Sequence, residues 1–424
     1  MILLFGVLAG LLLLGVPVFV AIGGAAVAYI LANDIPTLIV AQQMVGGIDS
    51  FPLLAVPFFI LAGNLMNAAA ITDRLFDFAR CLVGHLRGGL GHVNILASMI
   101  FSGMSGAAVA DAGGLGTVEL RAMKAQGYDL RFAVGITAAS STMGPIIPPS
   151  LAMVVYGVTA SASIGQLFVA GIVPGVLMAL SLHLLVWAIA RRRNYPRDQR
   201  ASLCQIAHSF RQSVFALLMP VLIIGGIVGG VTTPTEAAVV AVVYATLVGA
   251  LLYRSLSLRR FFEVLRETFE TTAVVMLMVA ASALFGWVLV REGVARQFAA
   301  ALLTFADNPA EAMLVLLIIL LVVGMFMETI AAIVLLTPIF LPVLAIYGID
   351  PVQFGVVMVL SLMIGLMTPP IGLLLFVMAR LSGLDLMQTF RATLPFMLPL
   401  GAVLLAVAFF PAIALTLPSL LFPR

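Results

Sequence analysis

The chain has 424 residues, of which 63% are hydrophobic and 9% are charged, whereas soluble domains are roughly 45–50% apolar and about 25% charged. No soluble core accommodates that many apolar side chains, and with a mean hydropathy of +1.21 the composition predicts an all-α polytopic protein of the lipid bilayer. The net charge of +3 comes from loop arginines without interleaved aromatic residues, which excludes a nucleic-acid-binding surface.

A helix that crosses a bilayer needs about 20 apolar residues. The first apolar run, 2–31, has no positively charged segment before it, so we interpret it as a transmembrane helix and not as a cleaved signal peptide. The segment 37–51 either extends the second span or forms a short helix before it. Further simple spans are predicted at about 52–71, 165–190, 213–231, 235–253, 270–290 and 393–416.

Two apolar segments carry polar or glycine interruptions near their centres. The segment of about 93–122 is divided at Ser102–Gly106, and the segment of about 312–347 is divided at Glu328 and Thr329. Division leaves arms of roughly 9–18 residues, which are short for full crossings and predict re-entrant hairpins.

Two further segments, about 130–160 and 351–381, each contain a Pro-Pro pair. Proline removes a backbone donor and disfavours the α conformation of the preceding residue, so both helices are predicted to unwind within the membrane. Unwound backbone is tolerated at that depth only where it is buried in protein or lines a cavity.

These interruptions recur with one constant offset of 221 residues. Gly144 and Pro148-Pro149 recur as Gly365 and Pro369-Pro370, and the offset holds over more than seventy residues. This predicts an internal duplication. Broken helices at corresponding positions of two halves are typical of the ion and substrate sites of secondary transporters. The same offset relates Gly103 to Gly324, Met104 to Met325, Gly127 to Gly348, Asp129 to Asp350, Ser140 to Ser361, Ser161 to Ser382 and Pro174 to Pro395.

Basic residues cluster at 74–87, 121–131, 191–211 and 254–266, and the positive-inside rule assigns all four clusters to the cytoplasm. The first half, 1–190, then has a hairpin that enters from the cytoplasm, and 191–212 is a basic cytoplasmic connector. The second half, 213–424, has a hairpin that enters from outside, so the halves are predicted to be inverted repeats. Cys81 and Cys204 lie beside basic loops and are expected to be reduced, and the chain has no Cys/His cluster for a transition metal.

Hairpin tips and unwound helices expose carbonyl oxygens and helix ends, which suit hard cations and anions respectively. Each half offers a small, oxygen-rich set that we interpret as a Na⁺ site, although close helix packing also explains isolated small residues. The Na⁺ candidates of the first half are Ser102, Gly103, Ser105, Gly106, Ser140, Ser141, Thr142, Gly144 and Pro148. Those of the second half are Gly324, Met325, Glu328, Thr329, Gly365, Thr368 and Pro369. The candidates for substrate contact are Ser105, Pro149, Ser150, Thr329 and Pro370.

Carboxylates within a membrane are costly and are usually functional. Glu328 is predicted either to neutralise a bound cation or to hydrogen-bond the hairpin tip. Asp111 is either functional or a structural residue that faces the cytoplasm. Glu236 follows a turn and opens a helix, where N-terminal capping explains it at least as well as function does.

An enzymatic alternative comes from Gly103-Met104-Ser105-Gly106, which matches the G-x-S-G motif of rhomboid intramembrane serine proteases. A protease needs a histidine that reaches Ser105, and His183 is the one histidine predicted well inside a span. The repeat has no explanation under this alternative. The chain has no Walker A motif and no G-x-G-x-x-G after a strand, so we predict a non-enzymatic protein that uses an ion gradient and has no organic cofactor.

Five segments resemble the large membrane subunit of TRAP (tripartite ATP-independent periplasmic) transporters, of the C4-dicarboxylate and sialic acid type. They are Phe58–Met66, Phe101–Ala108, Gly144–Ser150, Gly230–Ala237 and Thr368–Leu373, and they spread over nearly the whole chain. The family often has a small polar residue where this chain has Met104, which leaves only a backbone ligand at that position.

The resemblance implies Na⁺-coupled uptake of a small organic anion across the bacterial inner membrane by an elevator-type motion. It implies two partners, a periplasmic substrate-binding protein and a small four-helix membrane subunit. The subunit is expected to be a separate chain because no such segment precedes Met1. The family resemblance also implies that the Na⁺ sites lie at the hairpin tips and the facing Pro-Pro segments. A stand-alone ion-coupled carrier of the divalent-anion type is the alternative, and it would transport without a binding protein.

Overall fold

The computed structural model describes residues 2–69, 71–193 and 195–422, and within these ranges the chain is helical and has no β-strand. The first half contains α1 (Ile2–Leu13), α2 (Val18–Ala32), α3 (Leu38–Ile48), α4 (Ala55–Ala68), α5 (Ile71–Val83), α6 (Gly89–Ser105), α7 (Ala108–Gly113), α8 (Leu115–Ala125), α9 (Leu130–Ser141), α10 (Leu151–Thr159) and α11 (Ile164–Arg193). The second half contains α12 (Leu203–Val228), α13 (Pro234–Leu247), α14 (Leu258–Arg291), α15 (Val294–Leu302), α16 (Pro309–Gly324), α17 (Thr329–Tyr347), α18 (Pro351–Gly365), α19 (Leu373–Ser382), α20 (Leu386–Phe409) and α21 (Ala412–Leu421).

Seven helical segments in the described ranges are long and apolar enough to cross a membrane, which confirms a multi-pass membrane protein. Six of them coincide with the predicted simple spans, and the seventh is α17, the second arm of the second hairpin. The short-helix interpretation of 37–51 agrees with α3, which a 3-10 turn over Phe51–Leu54 separates from α4.

The predicted single span over 2–31 is wrong. The chain instead forms two short helices, α1 and α2, which pack against each other. The break falls between Leu13 and Val18, where Gly15 adopts a left-handed φ of +75° and Pro17 precedes the first residue of α2. Glycine makes that conformation accessible and proline cannot continue a helix, so an apolar run of sufficient length is still divided.

Helices α9 and α18 begin 221 residues apart, as the repeated offset predicts. Asp129 and Asp350 cap α9 and α18, and each carboxylate accepts hydrogen bonds from backbone N–H groups of the first turn. The Asp350 carboxylate, for example, accepts from Val352 N at 2.7 Å. Capping satisfies donors that have no partner in the helix and so determines where each helix starts. The first hairpin is α6–α8 and the second is α16–α17.

The two halves exchange equivalent contacts. Helix α7 packs against α19, and the counterparts of these elements, α17 and α10, also pack against each other. In the same way α9 packs against α20 and α18 packs against α11. Reciprocal pairing of this kind arises when two equivalent units are related by a two-fold axis. Because of this pairing, the helix that follows each hairpin tip contacts the helix that follows the Pro-Pro pair of the other half.

The connector between the halves is shorter than predicted because α11 continues to Arg193 and α12 starts at Leu203. It is held to the base of the first hairpin through Asp198. Arg80 Nε donates to the Asp198 carboxylate at 2.7 Å, Gln126 Nε2 donates at 3.3 Å, and Asp198 N donates to Gly84 O at 3.0 Å. The bond from Arg80 lowers the pKa of Asp198, so the contact contributes at neutral pH and is lost only below the ordinary aspartate range.

We predict that Asp198→Asn exposes the connector, because the amide loses the charge-assisted bond from Arg80. The pair is partly exposed, so the effect is about 0.5–1 kcal/mol, or roughly a two- to fivefold faster tryptic cleavage at Arg197 and Arg200. Limited proteolysis of the purified protein measures this. Glu270→Gln, which removes an exposed helix-surface pair with Arg266, is the matched control. Equal cleavage rates for both variants would remove Asp198 as the anchor.

Candidate functional site

The tip of the first hairpin lies directly on the unwound segment of the same half. Helix α6 ends at Ser105, and Gly106 adopts a left-handed φ of +63° before α7 begins. A Cβ atom at Gly106 would lie 2.8 Å from Pro149 O, so the tip has no room for a side chain there. One at Gly103 would lie 2.6 Å from Pro220 Cγ of α12 and 3.7 Å from Pro148 O. The structure therefore brings these sequence-predicted residues together.

The unwound segment of the first half runs from Thr142 to Ser150 and is largely buried. Its hydroxyls donate to nearby backbone carbonyls: Ser141 to Thr137 O at 2.7 Å and Thr142 to Ala139 O at 2.6 Å. Ser150 donates to Pro145 O at 2.5 Å and also caps α10 by accepting from Met153 N. A hydroxyl that has donated its proton keeps lone pairs, which can coordinate a cation.

Asp111 occupies the space between the tip and the unwound segment. It is 1% exposed, and one carboxylate oxygen accepts from the Ser105 hydroxyl. The other, Oδ2, is buried and has no hydrogen-bond partner among the described residues. A Cβ atom at Gly144 would lie 2.6 Å from that oxygen, so glycine allows the carboxylate to approach. Of the two interpretations of Asp111, the cytoplasm-facing one is wrong, and a buried carboxylate oxygen without a partner is suited to a cation.

Deeper in the first hairpin, five buried side chains form what we call the polar network: Asn94, Ser98, Glu119, Thr137 and Ser140. Asn94 Nδ2 lies 2.8 Å from Glu119 Oε2 and 2.7 Å from Thr137 Oγ1. Ser140 Oγ donates to Asn94 Oδ1 at 2.7 Å, so this sequence-predicted Na⁺ candidate points away from the tip. Sequence reasoning missed Asn94, Ser98, Glu119 and Thr137. The available signal was the i, i+4 spacing of Asn94, Ser98 and Ser102 along an apolar helix.

In the second half the tip and the interrupted helix touch through glycine backbone. A Cβ atom at Gly365 would lie 2.6 Å from Gly324 Cα, and one at Gly324 would lie 3.1 Å from Gly365 Cα. Gly372 N donates to Met325 O at 3.1 Å, which joins the end of the unwound segment to the tip. Thr368 donates to Ile364 O at 2.9 Å. Pro369 is half-buried and Pro370 is exposed, whereas Pro148 and Pro149 are buried.

Glu328 caps α17 at the second tip. Its Oε2 accepts from Ile330 N at 2.9 Å and from Ala331 N at 3.3 Å, as an N-cap side chain does. The structure therefore supports the hydrogen-bonding interpretation of Glu328, while a carboxylate at a helix N-terminus still carries a charge that a cation can use. The hydroxyl of Thr329 is buried, and no residue in the described ranges hydrogen-bonds to it. This tip borders a cavity of about 630 Å³, which residues of α1 and the α1–α2 turn also line.

The substrate candidates fall into two groups. Ser105, Pro149 and Ser150 meet at the first tip, and Thr329 and Pro370 lie at the second. The helices next to these groups contact each other across the halves, because α7 packs on α19 and α10 packs on α17. The half-helices α10 and α19 begin where the unwound segments end, so each N-terminus, which carries partial positive charge, follows closely on the proline candidates of its own half.

The protease alternative lacks its base in the described residues. The Ser105 hydroxyl donates to Asp111, and His183 pairs with His92, with 2.8 Å between their Nδ1 atoms. His92 itself is a buried residue of α6. Serine activation needs a base within hydrogen-bond reach, and Ser105 has a carboxylate partner instead of a histidine.

Paired hairpin tips, each facing an interrupted helix inside a multi-pass helical protein, define a membrane transport protein of the broken-helix class. Residues 5–413 match the family model described as the tripartite ATP-independent periplasmic transporter, DctM component. The chain belongs to this family. The prediction of a TRAP large permease subunit is thereby confirmed, as is that of a transport protein rather than an enzyme.

Known relatives cover most of the chain. The sialic acid TRAP transporter large permease protein SiaM of Vibrio cholerae is 48% identical over 412 residues, which are 97% of this chain and 96% of that protein. The C4-dicarboxylate TRAP transporter large permease protein DctM of Pseudomonas aeruginosa is 40% identical over 371 residues, 88% of this chain and 87% of that protein. The solved YdaH transporter of Alcanivorax borkumensis shares the fold, with a TM-score of 0.61 at 15% identity and 86% of each chain covered.

We predict that Gly365→Ala destabilises the protein, because the new methyl group meets backbone atoms of Gly324 that cannot rotate away. Overpacking of this kind costs about 1–3 kcal/mol. Thermal unfolding of the detergent-purified variant, followed by fluorescence-detected size exclusion, measures the loss. Gly401→Ala is the matched control, since a Cβ atom there meets nothing within 4 Å. A Gly365→Ala protein that melts with the control would show that the glycine contact is dispensable.

Proposed function

We propose that this protein is the large permease of a Na⁺-coupled, binding-protein-dependent importer of a small organic anion in the bacterial inner membrane. The observation that carries the proposal is the buried Asp111 carboxylate between a hairpin tip and an unwound helix, one oxygen of which has no hydrogen-bond partner in the part of the chain that the structure describes. A cation is the ligand that such an oxygen lacks. The family membership supports the transport role, and the family's name, tripartite ATP-independent periplasmic transporter, supports the dependence on a periplasmic component.

The first Na⁺ site in this proposal combines the Asp111 carboxylate with carbonyl and hydroxyl oxygens of Ser102–Gly106 and Ser141–Pro148. The second combines Gly324, Met325, Glu328 and Thr329 with the Gly365–Pro369 segment. Glu328 supplies charge through the helix terminus that it caps. The glycine contacts at both tips keep the oxygens of two backbone segments within reach of one ion. Binding of cations at both tips then creates positive charge next to the substrate candidates.

The substrate class follows from that charge and from the relatives. The V. cholerae relative is named for sialic acid, the P. aeruginosa relative for C4-dicarboxylates, and both are carboxylates. We propose that the substrate carboxylate lies between the tips, near Ser105, Pro149, Ser150, Thr329 and Pro370, where the N-termini of α10 and α19 favour an anion.

Transport in this proposal proceeds by an elevator motion of the hairpins and interrupted helices against the remaining helices. The packing between α7 and α19 and between α10 and α17 supports it, because these contacts join both sites into one unit that can move together. The small four-helix subunit would brace the remaining helices, and a periplasmic binding protein would deliver the anion.

The experiment that tests the function is uptake of labelled organic acids into proteoliposomes. The chain is reconstituted with its small subunit, with and without the binding protein, under an inward Na⁺ gradient or an equal K⁺ gradient. Uptake that requires both Na⁺ and the binding protein supports the proposal and identifies the substrate. Na⁺-driven uptake by the chain alone would assign it to the stand-alone carriers, and uptake without Na⁺ would refute the coupling ion.

We predict that Asp111→Asn raises the Na⁺ concentration for half-maximal uptake by at least about tenfold, because the amide removes the charge and one coordinating oxygen. Na⁺ titration of initial uptake rates measures the change. Asp385→Asn is the matched control, because Asp385 caps α20 at an exposed position and the amide oxygen can still accept from Gln388 N. An unchanged Na⁺ dependence would exclude Asp111 from the site.

We predict that Glu328→Gln raises the same Na⁺ concentration by about three- to tenfold, because a neutral side chain no longer attracts the cation. Glutamine keeps an oxygen that can accept from Ile330 N and Ala331 N, so the helix cap is retained and the variant isolates the charge. A melting temperature equal to that of the unmodified protein verifies the cap. Unaltered Na⁺ affinity in a stable variant would assign Glu328 to capping alone.

A further inference from the structure

The polar network contains a carboxyl group that the proposed ion sites do not use. Glu119 is 1% exposed and Asn94 is fully buried, and no salt bridge in the described residues includes Glu119. The elements packed against α8 are α5, α6, α7 and α9. The titratable residues of these four helices are Asp73, Arg74, Asp77, Arg80, Cys81, His92, Asp111 and Arg131. In the described ranges none of them hydrogen-bonds to Glu119. A buried anion without a cation is strongly unfavourable.

The distances in the network close a ring of hydrogen bonds if Glu119 is neutral. The carboxyl O–H at Oε1 then donates to Ser98 Oγ at 3.4 Å, and Ser98 donates to Ser140 Oγ at 3.0 Å. Ser140 donates to Asn94 Oδ1 at 2.7 Å, and Asn94 Nδ2 donates to Glu119 Oε2 at 2.8 Å. Every member of the ring gives one proton and receives one. The second amide proton of Asn94 goes to Thr137 Oγ1.

An ionised Glu119 leaves the same ring incomplete. Ser98 has a single hydroxyl proton, which must then choose between Ser140 Oγ and Glu119 Oε1. Either choice leaves a buried acceptor short of a donor, and an unsatisfied buried polar group is costly. The distance of 2.7 Å between Ser140 Oγ and Asn94 Oδ1 is that of an O–H···O hydrogen bond, so the Ser140 proton is donated to Asn94.

The repeat does not need this network in order to fold. In the second half the positions equivalent to Asn94, Ser98, Glu119 and Thr137 are apolar, and only Ser140 has a polar equivalent, in Ser361. These apolar residues are Val315, Ile319, Phe340 and Met358. Ser361 donates to its own helix, to Val357 O. The first half therefore carries a polar layer that the same architecture replaces with apolar packing elsewhere.

The network joins three elements at one level. Asn94 and Ser98 lie on α6, Glu119 on α8, and Thr137 and Ser140 in the last turns of α9. Asn94 and Ser98 are followed on the same helix by Ser102, which donates to Ser98 O, so the ring lies on the helix that ends at the hairpin tip. A hydrogen-bonded ring allows only one register between its members, whereas an apolar interface tolerates sliding.

We propose that Glu119 is a positioning residue: its neutral carboxyl closes the ring that fixes the first hairpin against α9. It thereby sets the geometry of the tip and the unwound segment where the first Na⁺ is proposed to bind. The role rests on the proposed function for its consequence in transport, but the ring itself is independent of which ion or substrate is carried.

The test compares Glu119→Gln with Glu119→Asp, for which this role predicts an unusual order. Glutamine reproduces both bonds, since its oxygen accepts from Asn94 and its amide donates to Ser98, and it adds only one spare proton. Aspartate keeps the carboxyl but is one methylene too short to span the ring. We expect the Na⁺ concentration for half-maximal uptake to stay within twofold for Glu119→Gln and to rise about tenfold for Glu119→Asp.

Melting temperatures in detergent give a second readout that does not need transport. We expect Glu119→Gln to match the unmodified protein and Glu119→Asp to melt lower. Ser361→Ala, at the second-half equivalent of Ser140, is the control and is expected to leave both readouts unchanged.

The reverse order would overturn the inference, because a Na⁺ ligand or a proton carrier needs the carboxyl and tolerates Asp better than Gln. Loss of stability in Glu119→Gln equal to that in Glu119→Asp would also overturn it. If the unmodified protein shows no Na⁺ dependence, the proposed function fails instead, and the order of melting temperatures still decides whether Glu119 closes the ring.

Discussion

A backbone that leaves the helical conformation inside a membrane must find every hydrogen-bond partner within the protein. The unwound segments of this chain meet that requirement locally and through close neighbours. Ile146 N and Ile147 N both donate hydrogen bonds to Met143 O, and Gly372 N donates to Met325 O at the hairpin tip of the same half. Glycine makes the approach of neighbouring backbones possible, as at Gly324 and Gly365. The fold therefore concentrates small residues and exposed carbonyl oxygens at the same two places, where the Na⁺ sites are proposed.

The two halves solve this problem differently despite their common pattern. The first half has a buried carboxylate at its tip and a polar network beneath it, with Pro148 and Pro149 enclosed. The second half has direct glycine contact, a carboxylate that caps a helix, and an exposed Pro370 beside an open cavity. The predicted duplication accounts for the common pattern, and the residues that differ between the halves distinguish an enclosed tip from an accessible one.

Much of this was predictable because it depends on local chemistry. Pro-Pro pairs, glycine-bearing interruptions and capping aspartates act through the nearest residues, so the breaks at Gly106, before Pro148 and before Pro369 could be predicted from the sequence. The prediction of a single span over 2–31 was wrong because it relied on the apolar length of the segment and disregarded Gly15 and Pro17. These two residues end the helix through their own backbone geometry. The polar network was not predictable, since Asn94 meets Glu119 and Ser140 across 25 and 46 residues of chain. The location of Asp111 was left open for the same reason.

The sequence by itself determined the membrane class, the repeated 221-residue offset and the family resemblance, because composition and residue spacing are properties of residue order alone. Only the tertiary structure decided which polar groups share one site. In the folded chain Asp111 lies against Gly144, Glu328 caps a helix, and Ser140 hydrogen-bonds within the polar network. Most of these contacts are made between helices that are distant in sequence. The free energy of a buried polar group depends on its partners, and partners are chosen by the fold.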